Sequence, residues 1–402
     1  MNIQVSRRGF LKSAALFSAI GVAPSFLTRV AEAQGAPIEG FKDDRILVVV
    51  QLGGGNDGLN TVVPYGDDTY YRVRPNLGLK GNRILKVNDY IALNDQLEGL
   101  MRLYDDGQLA AIHGVGYPNP ERSHFRSMEI WQTASDSDEY LGTGWIGRYF
   151  DNCCSGQGRP QAGVALSQER PQAFRGKRGF GIALEHPELY GWQEGLGMDR
   201  EATFQQLNTG KTSNGTLDFL RHTTSHAIMS SQEVRKAAEA SNVRAHNNKP
   251  LQVVAGLIRG GLDTRIYYVP FGGFDTHANQ LGRQDGLLKH FADSMHDFQA
   301  TLKRDGTADR VVTMVFSEFG RRVKENASGG TDHGTAAPMF LIGEKVKPGF
   351  HGKFPSLTDL DQGDLKHTAD FRSVYATVLD RWFGIDAKPV LQGEFPPLDL
   401  MA

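Results

Sequence analysis

The stretch ILVVVQL at residues 46–52 decides the fold of this chain. It is a continuous, mostly β-branched run, which is typical of a strand buried on both faces in a parallel sheet. The turn GGGNDG at 53–58 follows at the carboxyl end of that strand. Because open α/β sheets bind their ligands beyond the carboxyl ends of the strands, this turn marks the edge where a functional site is expected.

The same order of strand, loop and helix returns along the chain. Further strands are predicted at 109–113, 163–166, 265–269, 310–316 and 338–342. Helices are predicted at 94–104, 123–133, 216–241, 251–259, 286–302 and 371–382. Strands that alternate with helices predict the fold class α/β, with a mostly parallel central sheet sandwiched by helices.

The first 33 residues are predicted to be a twin-arginine signal peptide. Arg7 and Arg8 precede an apolar stretch at 13–22, and AEA at 31–33 offers small residues for cleavage. The apolar stretch is shorter than the roughly 18–20 residues that a spanning helix needs. Cleavage is therefore favoured over an uncleaved membrane anchor, and we expect a periplasmic or extracellular protein with no stable membrane span.

Composition excludes several classes of protein. Of the 402 residues, 40% are hydrophobic and 22% are charged, which excludes a disordered chain and a polytopic membrane protein. The net charge of −2 argues against a nucleic-acid partner bound by bulk electrostatics. Residues 34–402 are predicted to form a single domain, with an insertion or cap region rich in glycine, proline and polar residues at about 152–213.

Carboxylates and histidines stand in the loops at the predicted strand ends. Asp57 follows the first strand, and Glu318 follows the strand at 310–316. Asp275 and His277 follow the strand at 265–269, and His333 precedes the strand at 338–342. Such side chains bind Zn²⁺, Mn²⁺, Mg²⁺ or Ca²⁺. Taken singly, each also has an ordinary structural explanation as a helix cap, a loop histidine or a turn.

Ser123 is the candidate nucleophile. It stands at the predicted start of a helix, where backbone N–H groups and the positive end of the helix dipole favour an ionised hydroxyl. Arg122 and Arg126 flank it and suit the oxygens of an ester. The alternative is an ordinary N-cap serine with surface arginines.

Five ordered motifs carry a resemblance to a known family. They are QLGGGNDGLN at 51–60, RSHF at 122–125, GFDTH at 273–277, FSEFGR at 316–321 and TDHGT at 331–335. Together they resemble the bacterial family catalogued as domain of unknown function 1501, over roughly residues 45–383. A twin-arginine leader is common in that family, which is similar in turn to the alkaline phosphatase and sulfatase superfamily.

The resemblance implies an alkaline-phosphatase-like fold that holds one or two divalent ions. It implies that Asp275, His277 and His333 form one metal site. Asp57 and Glu318 would share a second ion, and Ser123 would be the nucleophile.

The chain departs from the superfamily pattern in two places. Ser317-Glu318 stands where the superfamily has an Asp-His pair, so either Asp332 makes up the deficit or only one metal binds. The sulfatase motif C/S-x-P-x-R is missing around Ser123, which disfavours a formylglycine enzyme and leaves Ser127 as the second candidate nucleophile.

The expected function is therefore that of an exported metal-dependent hydrolase of phosphate or sulfate esters. Its substrate would be a small-molecule or polymer ester, and the twin-arginine export machinery would be a partner. The alternative is a non-catalytic binding or assembly protein of the cell envelope with a degenerate metal site. A nucleotide-dependent enzyme rests on the glycine run alone, which is a weak signal.

Overall fold

The computed structural model describes residues 44–153, 160–177, 181–191, 215–242 and 249–402, with the backbone alone at 215–226. The predicted signal peptide at 1–33 lies outside the described residues. Among the described residues, no helix combines the length and the apolar character needed to cross a bilayer.

The larger strands lie where the β-branched runs predict them. The strands are β1 (Ile46–Leu52), β2 (Val62–Val63), β3 (Ile84–Lys86), β4 (Ala92–Asn94), β5 (Leu109–Gly116), β6 (Gly163–Ala165), β7 (Ile182–Ala183), β8 (Ile266–Phe271), β9 (Val311–Phe316), β10 (Ala337–Ile342), β11 (Gly349–His351), β12 (Leu360–Asp361), β13 (Asp364–Leu365) and β14 (Ala369–Asp370).

The helices of the described residues include the six that the sequence predicts, with shifted ends, and three more. They are α1 (Asp68–Val73), α2 (Glu98–Asp105), α3 (His124–Thr133), α4 (Trp145–Cys153), α5 (Gly215–Ala240), α6 (Pro250–Arg259), α7 (Gln280–Arg304), α8 (Phe371–Thr377) and α9 (Lys388–Leu391). The predicted last helix continues beyond α8 as a π-helical turn, Val378–Trp382.

The central sheet confirms the predicted fold class. Its order is β11-β5-β10-β9-β1-β8-β6-β7, and β14 also pairs with β5. Every described pairing in this sheet is parallel except those of β10, which runs antiparallel to β5 and β9. The start of β10 therefore lies at the same edge as the carboxyl ends of the other strands.

Helices cover both faces of the sheet, because β1 is apolar on both. Val48 and Val50 pack into one core with α2, α6 and α7. Leu47 and Val49 point to the opposite face and pack into a second core with α3, α4 and α8. This is the arrangement expected for a buried strand whose successive side chains alternate between two faces.

The described parts of the 152–213 region extend the central sheet. β6 pairs with β8, and β7 pairs with β6, both in parallel. These short strands are fully buried, and the insertion or cap region at about 152–213 stays a prediction.

Candidate metal centre

Four loops meet at the carboxyl edge of the sheet. The loop after β8 carries Asp275 and His277, and the loop after β9 carries Glu318. The loop before β10 brings His333, because β10 is antiparallel to its neighbours. The first residue of α3 is His124, which completes the group.

Asp275, His277 and His333 lie together, as the sequence predicts. His277 Nε2 is 3.0 Å from Asp275 Oδ1 and 2.9 Å from His333 Nε2. His333 Nε2 is 3.4 Å from Asp275 Oδ1. These are two nitrogens and one carboxylate oxygen within contact distance of one another.

His124 is a member of the cluster that the sequence reasoning missed. Its Nε2 lies 3.6 Å from Asp275 Oδ2, and one ligand atom each of His124, Asp275 and His333 lie within 4.8 Å of one another. The histidine stands in the RSHF motif at 122–125, in which the sequence analysis singled out only Ser123 and Arg122.

The imidazole rings are oriented by hydrogen bonds on the side away from the cluster. His124 Nδ1 donates to Glu318 Oε1 at 2.9 Å, and His333 Nδ1 donates to the Arg122 carbonyl at 2.7 Å. A carbonyl and a carboxylate accept hydrogen bonds, so both rings donate through Nδ1 and turn Nε2 toward Asp275. His277 Nδ1 faces Asp332 Oδ1 at 3.5 Å. Such outer partners are characteristic of metal-binding histidines.

The protonation of the cluster also suits a cation. Burial lowers the pKa of His333; the hydrogen bond to the Arg122 carbonyl opposes this, but the positive charge of Arg321 adds to the effect of burial and the pKa is lowered overall. Partial burial raises the pKa of Asp275, but the hydrogen bond and the charge of Arg321 outweigh this and lower it overall. His333 is therefore a neutral imidazole and Asp275 an ionised carboxylate, and these are the forms that bind metals.

The distances between ligand atoms are close to those around a tetrahedral ion. Ligands about 2.0–2.1 Å from a zinc ion at tetrahedral angles lie about 3.3 Å apart. The four contacts given above run from 2.9 to 3.6 Å, and the ligand atoms of His124, Asp275 and His333 all lie within 4.8 Å of one another. Three imidazole nitrogens and one carboxylate oxygen form a donor set that suits Zn²⁺ better than Mg²⁺ or Ca²⁺.

Arg321 ties the loops of the site together. Its guanidinium is fully buried and lies 2.6 Å from Asp275 Oδ1. It also donates to the carbonyls of Gly54, Gly55, Phe274 and Thr331. Arg321 ends the FSEFGR motif at 316–321, but nothing in that motif marks it as a residue of the site.

Glu318 contacts the cluster through His124. Oε1 accepts from His124 and from the backbone N–H of Gly54 at 2.7 Å, and the side chain is almost fully buried. Its position supports a role in orienting His124. The second predicted metal site requires Glu318 and Asp57 to lie in direct contact. In the described residues, neither carboxylate contacts the other.

Asp57 lies in a separate buried ion pair. Oδ2 is 2.6 Å from the guanidinium of Arg74, and both side chains are fully buried. Oδ1 accepts from the N–H of Leu59, which caps the turn after β1, and Gln280 donates to the carboxylate as well. The structure thus gives Asp57 the helix-cap role that the sequence left open, with Arg74 as its cation.

The two candidate nucleophiles differ in exposure. Ser123 is exposed at the N-cap of α3, and its side chain makes no capping hydrogen bond. Its neighbours Arg122 and His124 both contact the cluster, one by its carbonyl and the other by its ring. Ser127 is buried and donates to the Glu318 carbonyl, with Tyr117 at 2.9 Å. Ser123 is the accessible hydroxyl.

Neither arginine of the predicted clamp points its charge at the cluster. Arg122 donates through Nε to Asp364 Oδ2 at 2.7 Å. Arg126 pairs with Glu129 at 2.9 Å and lies 3.9 Å from the ring centre of Tyr140. Both guanidinium groups hold structure beside the site.

Comparisons with known proteins place the chain in a family without naming its reaction. A family model described as "Protein of unknown function (DUF1501)" matches residues 108–393. Among curated proteins, none matches this sequence.

Solved structures resemble the chain only distantly. One is the lipoteichoic acid synthase LtaP from Listeria monocytogenes, at 10% identity and a TM-score of 0.37, covering 81% of this chain and 73% of that one. Another is a protein in the alkaline phosphatase superfamily from Vibrio parahaemolyticus, at 10% identity and 0.38, covering 91% and 76%. A third is the C-terminal periplasmic domain of EcEptC from Escherichia coli, at 12% and 0.39, covering 86% and 85%. Likeness of this degree says nothing about what this chain does.

Proposed function

From the premise that this chain belongs to the DUF1501 family of proteins of unknown function, we propose that it is an exported, metal-dependent hydrolase of phosphate or sulfate esters. One observation carries the proposal. The Nε2 atoms of His124, His277 and His333 converge on Asp275, while the Nδ1 atoms of His124 and His333 donate to fixed oxygens.

His124, Asp275, His277 and His333 would hold one divalent cation. A bound divalent cation lowers the pKa of a nearby hydroxyl and offsets negative charge that develops on a transferring phosphoryl or sulfuryl group. Asp275 supplies the anionic ligand, and Arg321 keeps it ionised from the buried side. Glu318 fixes the ring of His124 so that Nε2 faces the cluster.

Ser123 would attack the ester and release the alcohol, forming a covalent ester on its oxygen that water then hydrolyses. Its exposed hydroxyl stands at the N-terminus of α3, where free backbone N–H groups favour negative charge. The substrate is a small-molecule or polymer ester outside the cytoplasm, reached by twin-arginine export of the folded chain.

A second candidate function is supported by a different observation. Asp57 is neutralised by Arg74, and Arg122 and Arg126 are engaged elsewhere. A single-ion site without an arginine clamp is what a non-catalytic envelope binding or assembly protein with a degenerate centre would retain.

Elemental analysis and ester turnover separate the two. We expect about one zinc per chain in protein recovered from the periplasm, and its loss in Asp275→Ala/His277→Ala. Turnover of aryl phosphate or aryl sulfate falls by about 1,000-fold or more in Ser123→Ala with metal retained. Ser294→Ala on α7 is the control and keeps full activity. Zinc-loaded protein with no turnover on either ester would favour the binding protein, and metal-free protein would refute the site itself.

A further inference from the structure

A small hairpin beside the metal centre carries a buried carboxylate. β12 and β13 pair in antiparallel fashion, and Gln362 and Gly363 form the turn between them at φ values of 50° and 87°. Asp364 follows that turn and its side chain is fully buried. Oδ2 accepts from Arg122, whereas Oδ1 accepts no hydrogen bond from any described residue and lies 3.9 Å from Arg322 Nε.

Arg122 connects this carboxylate to the cluster. Its guanidinium donates to Asp364, while its own carbonyl accepts from His333 Nδ1 at 2.7 Å. One residue thus binds the hairpin through its side chain and the cluster through its main chain. The next residue is Ser123, so the same anchor also holds the turn that bears the candidate nucleophile.

The hairpin is also fastened to the loop that bears His333. The Thr335 hydroxyl donates to the Leu365 carbonyl. Arg322 Nη1 donates to the Gln362 carbonyl in the turn of the hairpin at 3.4 Å, and the Arg322 N–H donates to the Asp332 carbonyl at 3.0 Å. The segment that bears Arg122 and the loop that bears His333 are far apart in sequence, and both contact this hairpin. Asp364 is the charged group at their junction.

We propose that Asp364 is a positioning residue, which acts through Arg122 to hold His333 as its Nδ1–H tautomer and to place Ser123 beside the cluster. This rests on the proposed metal-dependent function. The Arg122 side chain is 33% exposed whereas Asp364 is fully buried, so without the carboxylate the guanidinium loses its partner and can turn into solvent. Once Arg122 moves, its carbonyl no longer faces His333 Nδ1. The proposal gives Arg122 a structural task in place of the ester clamp expected from the sequence.

The test uses the full chain and two readouts, neither of which needs a substrate. The first is the dissociation constant for Zn²⁺, measured by competition with a chelator. The second is the tautomer of His333 in a two-bond ¹H–¹⁵N spectrum of metal-free protein, with the signal identified by its loss in His333→Gln. In Asp364→Asn we expect Zn²⁺ binding to weaken about 10-fold, as for other partners of metal-binding histidines, and the Nδ1–H signature of His333 to be lost.

Two further variants test the route through Arg122. Arg122→Met is expected to reproduce both changes, and the double variant to be no worse than the worse single one, because both act through one contact. Additive losses would refute the route. Asp370→Asn is the control, since Asp370 accepts from Arg372 at 2.9 and 2.7 Å at the start of α8, and none of its hydrogen bonds in the described part of the chain reaches the cluster. It should keep both readouts.

The outcomes separate this proposal from the proposed function. Unchanged affinity and an unchanged tautomer in Asp364→Asn would overturn the positioning role while zinc binding stands. A wild-type chain that binds no Zn²⁺ but whose His333 tautomer still depends on Asp364 would refute the metal-dependent function and leave the positioning role in place. If Asp364→Asn does not fold, Arg122→Met supplies both readouts.

Discussion

At the scale of single residues, Gly54 shows how closely the backbone approaches the centre. Its φ is +116°, and a Cβ on it would lie 2.4 Å from the backbone nitrogen of Asp275. A side chain is thus excluded both by conformation and by space. The N–H of Gly54 itself donates to Glu318 Oε1 at 2.7 Å, so a shift of Gly54 disturbs two parts of the site.

We therefore expect Gly54→Ala to lower the free energy of unfolding by about 2–4 kcal/mol, because strain and a backbone clash add. Denaturant unfolding monitored by circular dichroism measures this. Gly282→Ala is the matched control, because Gly282 lies in α7 with nothing within 4 Å of its added Cβ. That variant should be neutral or more stable by up to about 1 kcal/mol. Equal stability of the two variants would contradict the prediction.

His113 is a buried histidine that gives stability a pH dependence. It packs between Phe350 and Phe354 and is only 5% exposed. Burial, with a smaller effect of the nearby His351, lowers the pKa of His113 to about 4. The unfolded chain binds the proton near pH 6.5 and the folded chain near pH 4, so stability falls as the pH drops through this window.

The contribution of His113 is roughly 3 kcal/mol when the whole window is crossed. Urea unfolding of the wild type and of His113→Leu between pH 7 and pH 4 measures it. We expect the stability of the variant, relative to the wild type, to rise as the pH falls. If the difference in stability stays constant across this range, His113 has the same pKa in the folded and the unfolded chain.

At the scale of elements, α1 and the turn after β1 are joined by one buried ion pair. Arg74 ends α1, and its guanidinium contacts Asp57, the Asn60 side chain and two carbonyls at 322 and 323. Removing the Arg74 guanidinium would leave all of these groups without that partner at once.

Arg74→Met should therefore cost about 3–5 kcal/mol of unfolding free energy. Arg83→Met is the control, since Arg83 is 34% exposed and pairs with Asp95 and Asp285 near the surface. Such an exposed pair contributes at most about 1 kcal/mol. Chemical denaturation compares them, and a similar small loss in both would mean that the buried pair is no stronger than the exposed one.

The start of α7 shows why one helix boundary was predicted too late. The helix begins at Gln280 instead of 286, and its first turns bury Gln280 and Gln284. Their amides bond to Asp57 and to Asn56, so the buried face there is polar. Prediction from periodicity looks for apolar residues on the buried face, and it begins the helix where such residues begin.

At the scale of the whole molecule, the cluster joins segments that are distant in the sequence. His124 starts α3, Asp275 follows β8, and His333 precedes β10. A cation bound to all of them must be released when the chain unfolds, so binding stabilises the entire fold.

We expect Zn²⁺ to raise the Tm of the wild type and a chelator to lower it. At a free zinc concentration about 1,000 times the dissociation constant, the gain is about 4 kcal/mol. Differential scanning calorimetry with Zn²⁺ or with chelator measures this, with Asp275→Ala/His277→Ala as the variant that should not respond. A Tm that rises equally in both proteins would place the stabilising zinc outside the cluster.

The sequence by itself determined the sheet, the sandwich of helices and the strand-end location of Asp275, His277 and His333. A strand with apolar residues on both faces has to be buried between two layers, and that requirement is local in the sequence. Only the tertiary structure decided that His124 joins the cluster, that Arg321 braces it and that Asp57 pairs with Arg74. Those choices depend on which side chains meet across long sequence separations, and no local pattern records such meetings. Asp57 in particular is a carboxylate at a strand end, as a metal ligand would be, and its partner became evident only when the fold brought a buried arginine to it.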